Sequence, residues 1–547
     1  MTHFKTLIST HVHSRTDLRE YRCEQGTICS NNFGSKFVGI SRYPADPLRS
    51  MLTHMIRFFS IALAVFFCLN TAFAQGKDQS AISEKWQTIW NQDQRIGYAH
   101  STTQRKTIDG QKVVLTDTLV SMTLSRFGQT LTIRQKLHQE ELADGTLLKM
   151  SSILENPPNS RTSLSGIVEG DEIRLRSQVA GNEIVKELTG MQGVRSSAYP
   201  ERFVEDGNLK LGKPVQIEVF EPQMGMKTTI RIEYMRDIES GPDSGLREVK
   251  FEQSLPGAAN IETIVYCRKD WSTQKVVSPL MKMEMREATA KEALEPIGEQ
   301  KIDFALDTML KVKGLKNTDA SKSITYRIAV EGASPAEIFT ESNYQTIRKL
   351  SESEIELTVT SVELPSLTTD KHEQATVGEE YLQSSQFLET DAAIIKQLAE
   401  QGSETSHPVE VAVGLKKFVQ GYVSDKNFST AMATAVEVAK SKAGDCTEHA
   451  VLLAALLRAK KIPSRVAIGF VYSPQHQAFV GHMWTEAWIA GNWFPLDAAL
   501  GNVGKNCGYL TISTSALSDQ GNAPTVEFLP MLHLLGRTKI DVVEIIR

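Results

Sequence analysis

Cysteine is scarce in this chain, and the cysteines present are not arranged in metal-binding pairs. The 547 residues include six, at Cys23, Cys29, Cys68, Cys267, Cys446 and Cys507. None of them forms a Cys-x-x-Cys pair, so neither a zinc ribbon nor a disulfide scaffold is indicated. We therefore expect no metal and no other cofactor, and each cysteine can be considered on its own.

Basic residues are also too few for a nucleic-acid-binding protein. Lys and Arg total 60 against 65 Asp and Glu, which gives a net charge of -5 and a pI near 6.2. A protein that binds DNA or RNA needs a cationic surface to displace counterions from phosphate, so a nucleic-acid partner is not expected. With only 19 Pro and 35 Gly, the composition is neither fibrous nor disordered. The length suits roughly three or four domains.

Long apolar runs are missing except for one short stretch near the beginning. Residues 58–69 are uncharged and apolar, follow Arg57, and precede a segment that ends in Ala-Phe-Ala at Ala74. A membrane span needs about 20 apolar residues, whereas a secretory signal peptide combines a basic start, a short apolar core and an Ala-x-Ala end. We predict a signal peptide at 51–74, a secreted or periplasmic protein, and no stable membrane span once the signal is removed.

Fifty residues precede Met51, although signal peptides normally begin a chain. Residues 1–50 are rich in Arg, Ser and Asn and have no sustained periodicity. We interpret them as an unstructured or overextended N-terminus, with a long-leader or anchored form as the open alternative. Without residues 1–74 the chain keeps 52 basic and 61 acidic residues, a net charge near -9, and three cysteines.

The next two segments have the period-two pattern of half-buried strands. In the range 75–295, Leu131, Ile133 and Leu137 alternate with polar residues, and Asp-Gly turn signals recur at hairpin-like intervals. This range predicts one large β-rich domain, either a sandwich or a curved open barrel. A similar pattern predicts a small β-sandwich-like domain at 296–380.

The period becomes helical after about residue 381, so the range 381–547 predicts a third, α+β domain. One helix begins near Cys446 and is apolar nearly all round, which predicts that it is buried. Strands are predicted at 466–472 and in a hairpin over 481–493 that turns at Ala490-Gly491.

Cys446 follows Gly444-Asp445 at the start of the predicted buried helix. A helix N-terminus offers unpaired N–H groups and a partial positive charge of about half a unit. Both favour the thiolate, which is the nucleophilic form of cysteine, and the same N–H groups are suited to stabilise an oxyanion. The alternative, a buried structural cysteine, remains open on position alone.

A cysteine nucleophile needs a base, and the hairpin supplies a candidate. His482, Trp484 and Glu486 alternate on one face of its first strand. With a two-residue turn, Asp497 lies opposite Trp484 and diagonal to His482, about 7–8 Å away in a regular ribbon. Asp497 is then placed to fix the His482 tautomer and stabilise its imidazolium.

Taken together, these residues resemble a known family. Gly-Asp-Cys with an Ala/Leu-rich helix, His-x-Trp-x-Glu-x-Trp and Trp-Phe-Pro-Leu-Asp resemble the transglutaminase-like superfamily, which has a papain-like cysteine protease core. The resemblance covers about 385–510. It implies that Cys446 is the nucleophile, His482 the acid/base and Asp497 the orienting residue. It also implies that Trp484 and Glu486, which match positions beside the family's histidine, are structural.

The sequence departs from animal transglutaminases, which use calcium and an oxyanion-stabilising tryptophan. The chain has no EF-hand-like acidic loop and no tryptophan between Trp271 and Trp484. The resemblance is closer to exported bacterial members of the superfamily, for which hydrolysis of an amide is as plausible as cross-linking.

His449 and Cys507 are further candidates in this part of the chain. His449 lies three residues after Cys446, so it shares nearly the same helix face. It is interpreted as a packing residue next to the site, with a second base or half of a metal site as alternatives. No paired Cys/His spacing completes such a metal site.

Cys507 is a possible disulfide partner of Cys267, which the spacing leaves open.

The sequence thus predicts an exported cysteine-dependent acyl-transfer enzyme that acts on protein or peptide amide bonds through a thioester on Cys446. Either water or a second amine would accept the acyl group. The alternative is a non-catalytic scaffold that binds a peptide or protein with the same core. The chain has no phosphate-binding Gly loop, Gly-x-Ser-x-Gly or His-Glu-x-x-His motif, which disfavours other enzyme classes.

Overall fold

The structure is a computed structural model that describes the chain from residue 82 to its end. Within that range it leaves out 109, 127–128, 157–159, 256–259, 299–307, 317, 366–376, 427–431, 503, 505–506, 521–523 and 525. The predicted N-terminal segment 1–50 and the predicted signal peptide at 51–74 lie outside the described residues. In the described part, no helix is both long and apolar enough to cross a membrane.

The first half of the described chain forms one fifteen-stranded sheet. The pairing runs β8-β7-β6-β5-β4-β3-β2-β1-β15-β14-β13-β12-β11-β10-β9, and all pairs are antiparallel except β9 with β10. Its strands are β1 (Ile82–Asn91), β2 (Gln94–Ile108), β3 (Gln111–Arg126), β4 (Gln129–Leu142), β5 (Leu147–Asn156), β6 (Ser160–Glu169), β7 (Glu172–Val179), β8 (Asn182–Thr189), β9 (Arg195–Ser196), β10 (Val215–Glu221), β11 (Met226–Asp237), β12 (Arg247–Ser254), β13 (Ile261–Cys267), β14 (Thr273–Ser278) and β15 (Met283–Ala288). Two short helices, α1 (Tyr199–Glu205) and α2 (Ala290–Ala293), accompany it.

Alternating side chains give this sheet its core. On β11, Ile230, Ile232 and Tyr234 are buried while the intervening residues are more exposed. Period two places these residues on one face of the strand, so β11 contributes a single apolar row. The prediction of a large β-rich N-terminal region is confirmed. Its strands join through hydrogen bonds into one continuous sheet because β1 pairs with β15 and unites two runs of hairpins.

Two smaller sheets and a group of helices form the second half. Its elements are β16 (Leu310–Lys311), β17 (Ser323–Val330), α3 (Pro335–Ile338), β18 (Gln345–Lys349), β19 (Glu354–Thr360), α4 (Ala393–Gly402), α5 (Pro408–Tyr422), α6 (Ala435–Ser441), α7 (Cys446–Ala459), β20 (Ser464–Ser473), β21 (Ala478–Ile489), β22 (Asn492–Leu496), β23 (Tyr509–Ser515), α8 (Leu529–Leu532) and β24 (Thr538–Ile546). One sheet has the order β18-β19-β17-β24. The other has the order β16-β21-β20-β23, with β22 paired to β21.

The first of these small sheets differs from the separate domain expected at 296–380. Its fourth strand, β24, comes from the far C-terminus and pairs along the length of β17. The Tyr326 hydroxyl donates to the Cys507 carbonyl at 2.6 Å, and Tyr326 lies in the same apolar core as α7. A three-stranded segment with two open edges gains backbone hydrogen bonds from a fourth strand, and alternation within each strand does not reveal that pairing.

Helix α7 is the buried centre of the second half. Every residue from Cys446 to Arg458 is buried, so the apolar pattern of the sequence predicted this environment correctly. Helices α4, α5 and α6 pack around it, and strands β20 and β21 lie against it. The Thr485 hydroxyl on β21 donates to the Ala450 carbonyl of α7 at 2.9 Å. This hydrogen bond joins the helix that begins with Cys446 to the strand that carries His482.

Candidate active site

Cys446 is the first residue of α7, and a carboxylate caps the helix just before it. The Asp445 side chain accepts the N–H of Thr447 at 2.8 Å and also that of Glu448. In return, the Glu448 carboxylate accepts the N–H of Asp445 at 2.9 Å. This reciprocal capping box defines where α7 begins and fixes the backbone on both sides of Cys446. The Cys446 side chain is therefore held at a well-defined helix start, with the residue 1% exposed.

The capping box changes the electrostatic expectation for Cys446. The N–H groups of Thr447 and Glu448 are used by Asp445, so an oxyanion would need other donors. A carboxylate at the N-cap also offsets part of the positive potential of the helix end. Stabilisation of a thiolate at Cys446 would then need a neighbouring cation, which in Cys–His pairs of other proteins is an imidazolium.

His482 and Asp497 are brought together by the β21–β22 hairpin. Ala490 and Gly491 have φ values of 49° and 79°, the left-handed conformations that a two-residue hairpin turn requires. The ladder ends at the pair Thr485–Leu496, so the next residue, Asp497, falls beside Trp484 and diagonal to His482. The His482 Nε2 atom lies 2.6 Å from the Asp497 Oδ2 atom, and both side chains are buried.

The Asp497 carboxylate is held by backbone and side-chain donors. Its Oδ1 accepts the N–H groups of Ala499 and Leu500, each at 2.9 Å, and its Oδ2 accepts the Tyr509 hydroxyl at 2.7 Å. Burial alone would raise its pKa, but the charge of His482 and the hydrogen bonds from His482, Leu500 and Tyr509 outweigh burial and lower the pKa of Asp497. Asp497 is therefore ionised at neutral pH and suited to orient His482.

Aromatic rings exclude water from this pair. The rings of His482 and Trp484 stack with centroids 6.0 Å apart, and Tyr509 contacts both rings at 5.9 and 5.2 Å. Burial, followed by the charge of Asp497, raises the pKa of Tyr509 well above its ordinary value, so its hydroxyl remains a donor. Trp484 thus packs beside the pair, where a dry environment strengthens the hydrogen bond between His482 and Asp497.

Glu486 has a different set of partners at the other end of β21. It is fully buried and accepts the Arg465 Nε at 2.8 Å as well as the hydroxyl of Tyr344. The Arg465 guanidinium in turn lies over the Trp493 ring, 4.2 Å from its centroid. These contacts tie β20, β21 and β22 to Tyr344, the residue before β18, which favours a structural role for Glu486.

His449 lies one turn after Cys446, with its ring turned towards the start of the helix. Its Nδ1 is 2.6 Å from the Asp445 carbonyl, and the residue is 1% exposed. Burial is the main cause that lowers the pKa of His449 to about 4, partly opposed by the hydrogen bond to Asp445 and by the charge of Asp497. The neutral His449 ring favours a role in holding the first turn of α7. Among the described residues, no cluster of three or more Asp, Glu, His or Cys side chains is arranged to hold a metal.

Comparison with protein families agrees with this arrangement. Residues 396–498, which include Cys446, His482 and Asp497, match the model of the transglutaminase-like superfamily. This part of the chain is a transglutaminase-like domain. A search of the curated proteins found no match.

Three solved structures are similar to parts of the chain. One is described as a candidate cysteine protease from Cytophaga hutchinsonii, with 17% identity and a TM-score of 0.24, covering 41% of this chain and 86% of that one. A β-barrel-like protein of a domain of unknown function from Brucella abortus has 10% identity and a TM-score of 0.28, covering 38% of this chain and 93% of its own. A candidate protease from Parabacteroides distasonis has 11% identity and a TM-score of 0.17, covering 63% and 68%. No conclusion about this chain rests on scores this low.

Cys446 is the cysteine that lies in the transglutaminase-like match, and the other two described cysteines belong elsewhere. Cys267, Cys446 and Cys507 are all buried and none is in a disulfide, so the possible Cys267–Cys507 disulfide does not form in this structure. Cys267 lies in the core of the large sheet, whereas Cys507 lies in the core around α7, with its Sγ 3.2 Å from the Ser321 carbonyl. Burial, followed by the charges of Glu205 and Glu201, raises the pKa of the Cys267 thiol to about 12.

Two residues of the transglutaminase-like site were missed by sequence reasoning. Glu448 had a visible signal, because an acidic side chain two residues after Cys446 completes an Asp-x-x-Glu capping pattern that starts at Asp445. Tyr509 had none, since it reaches Asp497 only because β23 pairs with β20 in register. Long-range strand pairing of this kind is not encoded in the period of either strand.

Proposed function

We propose that the chain is an exported cysteine-dependent acyl-transfer enzyme that acts on protein or peptide amide bonds through a thioester on Cys446. The observation that carries the proposal is the buried His482–Asp497 pair, joined at 2.6 Å on a strand packed against the helix that begins with Cys446. A buried, ionised carboxylate fixed on one ring nitrogen of a histidine prepares the other nitrogen for proton transfer.

The first half of the proposed reaction forms the thioester. The Cys446 sulfur attacks the amide carbonyl carbon, and the C–N bond of the tetrahedral intermediate breaks. His482 takes the thiol proton on Nδ1 and passes it to the departing amine, so the leaving group is neutral. Asp497 stays ionised throughout and keeps its hydrogen bond to the His482 Nε2. Its charge stabilises the imidazolium that exists between the two proton transfers.

The second half releases the acyl group. Water or a second amine attacks the thioester carbonyl while His482 accepts its proton, and the C–S bond breaks. The proton then returns to the sulfur, which regenerates the starting enzyme. Water gives hydrolysis and an amine gives a new amide, so the same three residues serve either outcome.

Three observations support the location and partners in the proposal. The apolar segment at 58–69 and the Ala-x-Ala end at Ala74 favour export to a secreted or periplasmic location. The net charge near -9 without residues 1–74 disfavours a nucleic-acid partner. The large sheet in the same chain has one extended edge strand, β8, and edge strands can bind polypeptides, which favours a protein or peptide substrate.

The test compares alkylation of two equally buried cysteines in the full chain. At neutral pH a thiol with a pKa of about 12 is ionised to a fraction on the order of 10⁻⁵, whereas a His-paired thiol is largely ionised. The more basic thiolate of Cys267 is intrinsically more nucleophilic. This offsets about half of the difference in ionised fraction on a logarithmic scale. We therefore expect iodoacetamide to label Cys446 on the order of 100-fold faster than Cys267, measured by mass spectrometry of digested protein.

A matched variant separates catalysis from binding. His482→Ala should slow labelling of Cys446 and leave labelling of Cys267 unchanged. Equal labelling of both cysteines in the wild type would contradict the proposal.

Wild type and Cys446→Ala are then incubated with a peptide library and an amine donor. Turnover by the wild type alone is expected, while binding without turnover by either protein would favour the peptide-binding scaffold.

A further inference from the structure

One hairpin at the edge of the large sheet is hydrogen-bonded to the second half of the chain. This hairpin consists of β7 and β8, and β8 is the outermost strand of the sheet. The Gln386 Nε2 donates to the Asn182 carbonyl at 2.7 Å and to the Ser177 carbonyl at 3.3 Å. Three residues later, the Glu389 Oε1 accepts the Asn182 Nδ2 at 2.6 Å. The edge of the sheet is therefore hydrogen-bonded to the segment that precedes α4.

Glu389 also reaches the N-terminus of α6. Its Oε1 accepts the Thr434 hydroxyl at 3.0 Å, and its Oε2 accepts the N–H of Val436 at 2.8 Å. Helix α6 already has its own capping box, made by Thr434 and Glu437. That box satisfies the N–H groups of Thr434 and Glu437, and Glu389 satisfies the N–H of Val436, so Glu389 joins the start of α6 to the hairpin and fixes their relative position.

The residue before Thr434 continues the chain of contacts to the nucleophile. The N–H of Ala433 donates to the Glu448 Oε1 at 3.1 Å. The Glu448 Oε2 accepts the N–H of Asp445 and the Thr447 hydroxyl, at 2.9 and 2.8 Å. Glu448 is 1% exposed, so these hydrogen bonds form in a dry environment where each is worth more than in water. A continuous path therefore joins Asn182 on the sheet edge to the backbone next to Cys446.

We infer that Glu389 is a positioning residue through which the β7–β8 hairpin of the large sheet sets the alignment of Cys446 with His482. The inference rests on the proposed function and gives the large sheet a part in it. A small displacement at the start of α7 moves the sulfur relative to the imidazole on β21, and the Cys–His ion pair weakens with distance. The sheet thus controls the fraction of reactive thiolate without touching the reacting atoms.

The main test is Glu389→Gln, read by the pH profile of Cys446 alkylation in the full chain. Each oxygen of the Glu389 carboxylate accepts hydrogen bonds, and glutamine has only one acceptor oxygen. In the variant, the NH₂ group therefore faces a donor that the second carboxylate oxygen had accepted. We expect the midpoint of the profile to rise by about half a pH unit, with about threefold slower labelling below the midpoint. A purely structural role would lower the melting temperature and leave this midpoint unchanged.

Asn182→Ala tests the same path from the other domain. Asn182 is exposed, so its substitution tests the link even if Glu389→Gln fails to fold. We expect a smaller shift in the same direction, and no additional shift when it is combined with Glu389→Gln, because the path runs through Glu389. Lys186→Ala is the matched control, since Lys186 lies on the same strand but contacts the Gln520 carbonyl, at 3.4 Å. It should leave the profile unchanged.

The outcomes distinguish this inference from the proposed function. If wild-type Cys446 is labelled no faster than Cys267, the proposed function fails. If wild-type Cys446 is reactive but neither Glu389→Gln nor Asn182→Ala moves the midpoint, the inference is overturned and the proposed function stands. A shift of equal size in Lys186→Ala would also overturn it, because any disturbance of the interface would then have the same effect.

Discussion

Tyr509→Phe removes one hydroxyl from the candidate site and leaves the ring that packs on His482 and Trp484. The lost hydroxyl donates to the Asp497 carboxylate at 2.7 Å and accepts the Asn502 Nδ2 at 2.8 Å. Hydrogen bonds to a buried charged group contribute about 1.5–3 kcal/mol. We expect the variant to be destabilised by about 2 kcal/mol, measured by urea and thermal unfolding.

Tyr326→Phe is the matched control for this prediction. Tyr326 is also fully buried, but its hydroxyl donates to an uncharged acceptor, the Cys507 carbonyl, at 2.6 Å. A hydrogen bond between neutral groups contributes about 1 kcal/mol, so the control should lose about half as much stability. The difference between the two variants isolates the charge of Asp497.

The pH dependence makes the comparison more specific. Because the pKa of folded Asp497 is lowered, its ionisation contributes stability that is fully present above the ordinary carboxyl pKa of about 3.9 and is lost as the pH falls through the lower folded value. Tyr509→Phe raises the folded pKa towards the ordinary value. The stability gap between this variant and the wild type should therefore narrow as the pH falls below about 4. For Tyr326→Phe, the difference in free energy of unfolding from the wild type should stay constant over the same pH range. Equal losses for the two variants, with parallel pH profiles, would refute the role assigned to Tyr509.

Two other predictions concern packing and buried charge. Gly469→Ala should destabilise the domain by several kcal/mol and disturb His482, its partner across the ladder, because the added methyl would lie 1.9 Å from the Leu510 carbonyl oxygen. Gly421→Ala in α5, where the added methyl meets no atom within 4 Å, should instead stabilise by about 0.5–1 kcal/mol in the same unfolding assay. Glu486→Gln should cost about 3–5 kcal/mol because Arg465 is left as an incompletely paired buried charge. Glu352→Gln, which removes the exposed ion pair with Lys349, should change stability by less than about 1 kcal/mol, and equal losses in the two variants would contradict the assignment.

Local patterns in the sequence predicted much of the fold. Alternation along strands such as β11 predicted the β-rich region, and the apolar circumference of α7 predicted its burial. The Ala490-Gly491 turn predicted the register that places Asp497 diagonal to His482, because turn length alone fixes the pairing of a two-residue hairpin.

Features that depend on distant pairing were not predicted. The β17–β24 pairing links residues more than 200 positions apart, and the contact between Tyr509 and Asp497 depends on how β23 aligns with β20. Neither is signalled by periodicity, which reports the face of a strand and not its neighbour. The same limit explains why the segment at 296–380 was expected to stand apart from the transglutaminase-like domain.

The pairing of β24 with β17 also imposes an order on protein synthesis. Every strand of the large sheet lies between residues 82 and 288, so all its hydrogen-bonding partners have been made well before the ribosome reaches the cysteine helix. The small sheet beside that helix lacks its fourth strand until residues 538–546 have emerged. Domains generally fold in the order of their synthesis, and pairing between distant segments is slow. A chain that stops before β24 therefore carries Cys446, His482 and Asp497 beside a sheet that lacks one strand, and we expect the second half to complete its fold only after β24 has been made.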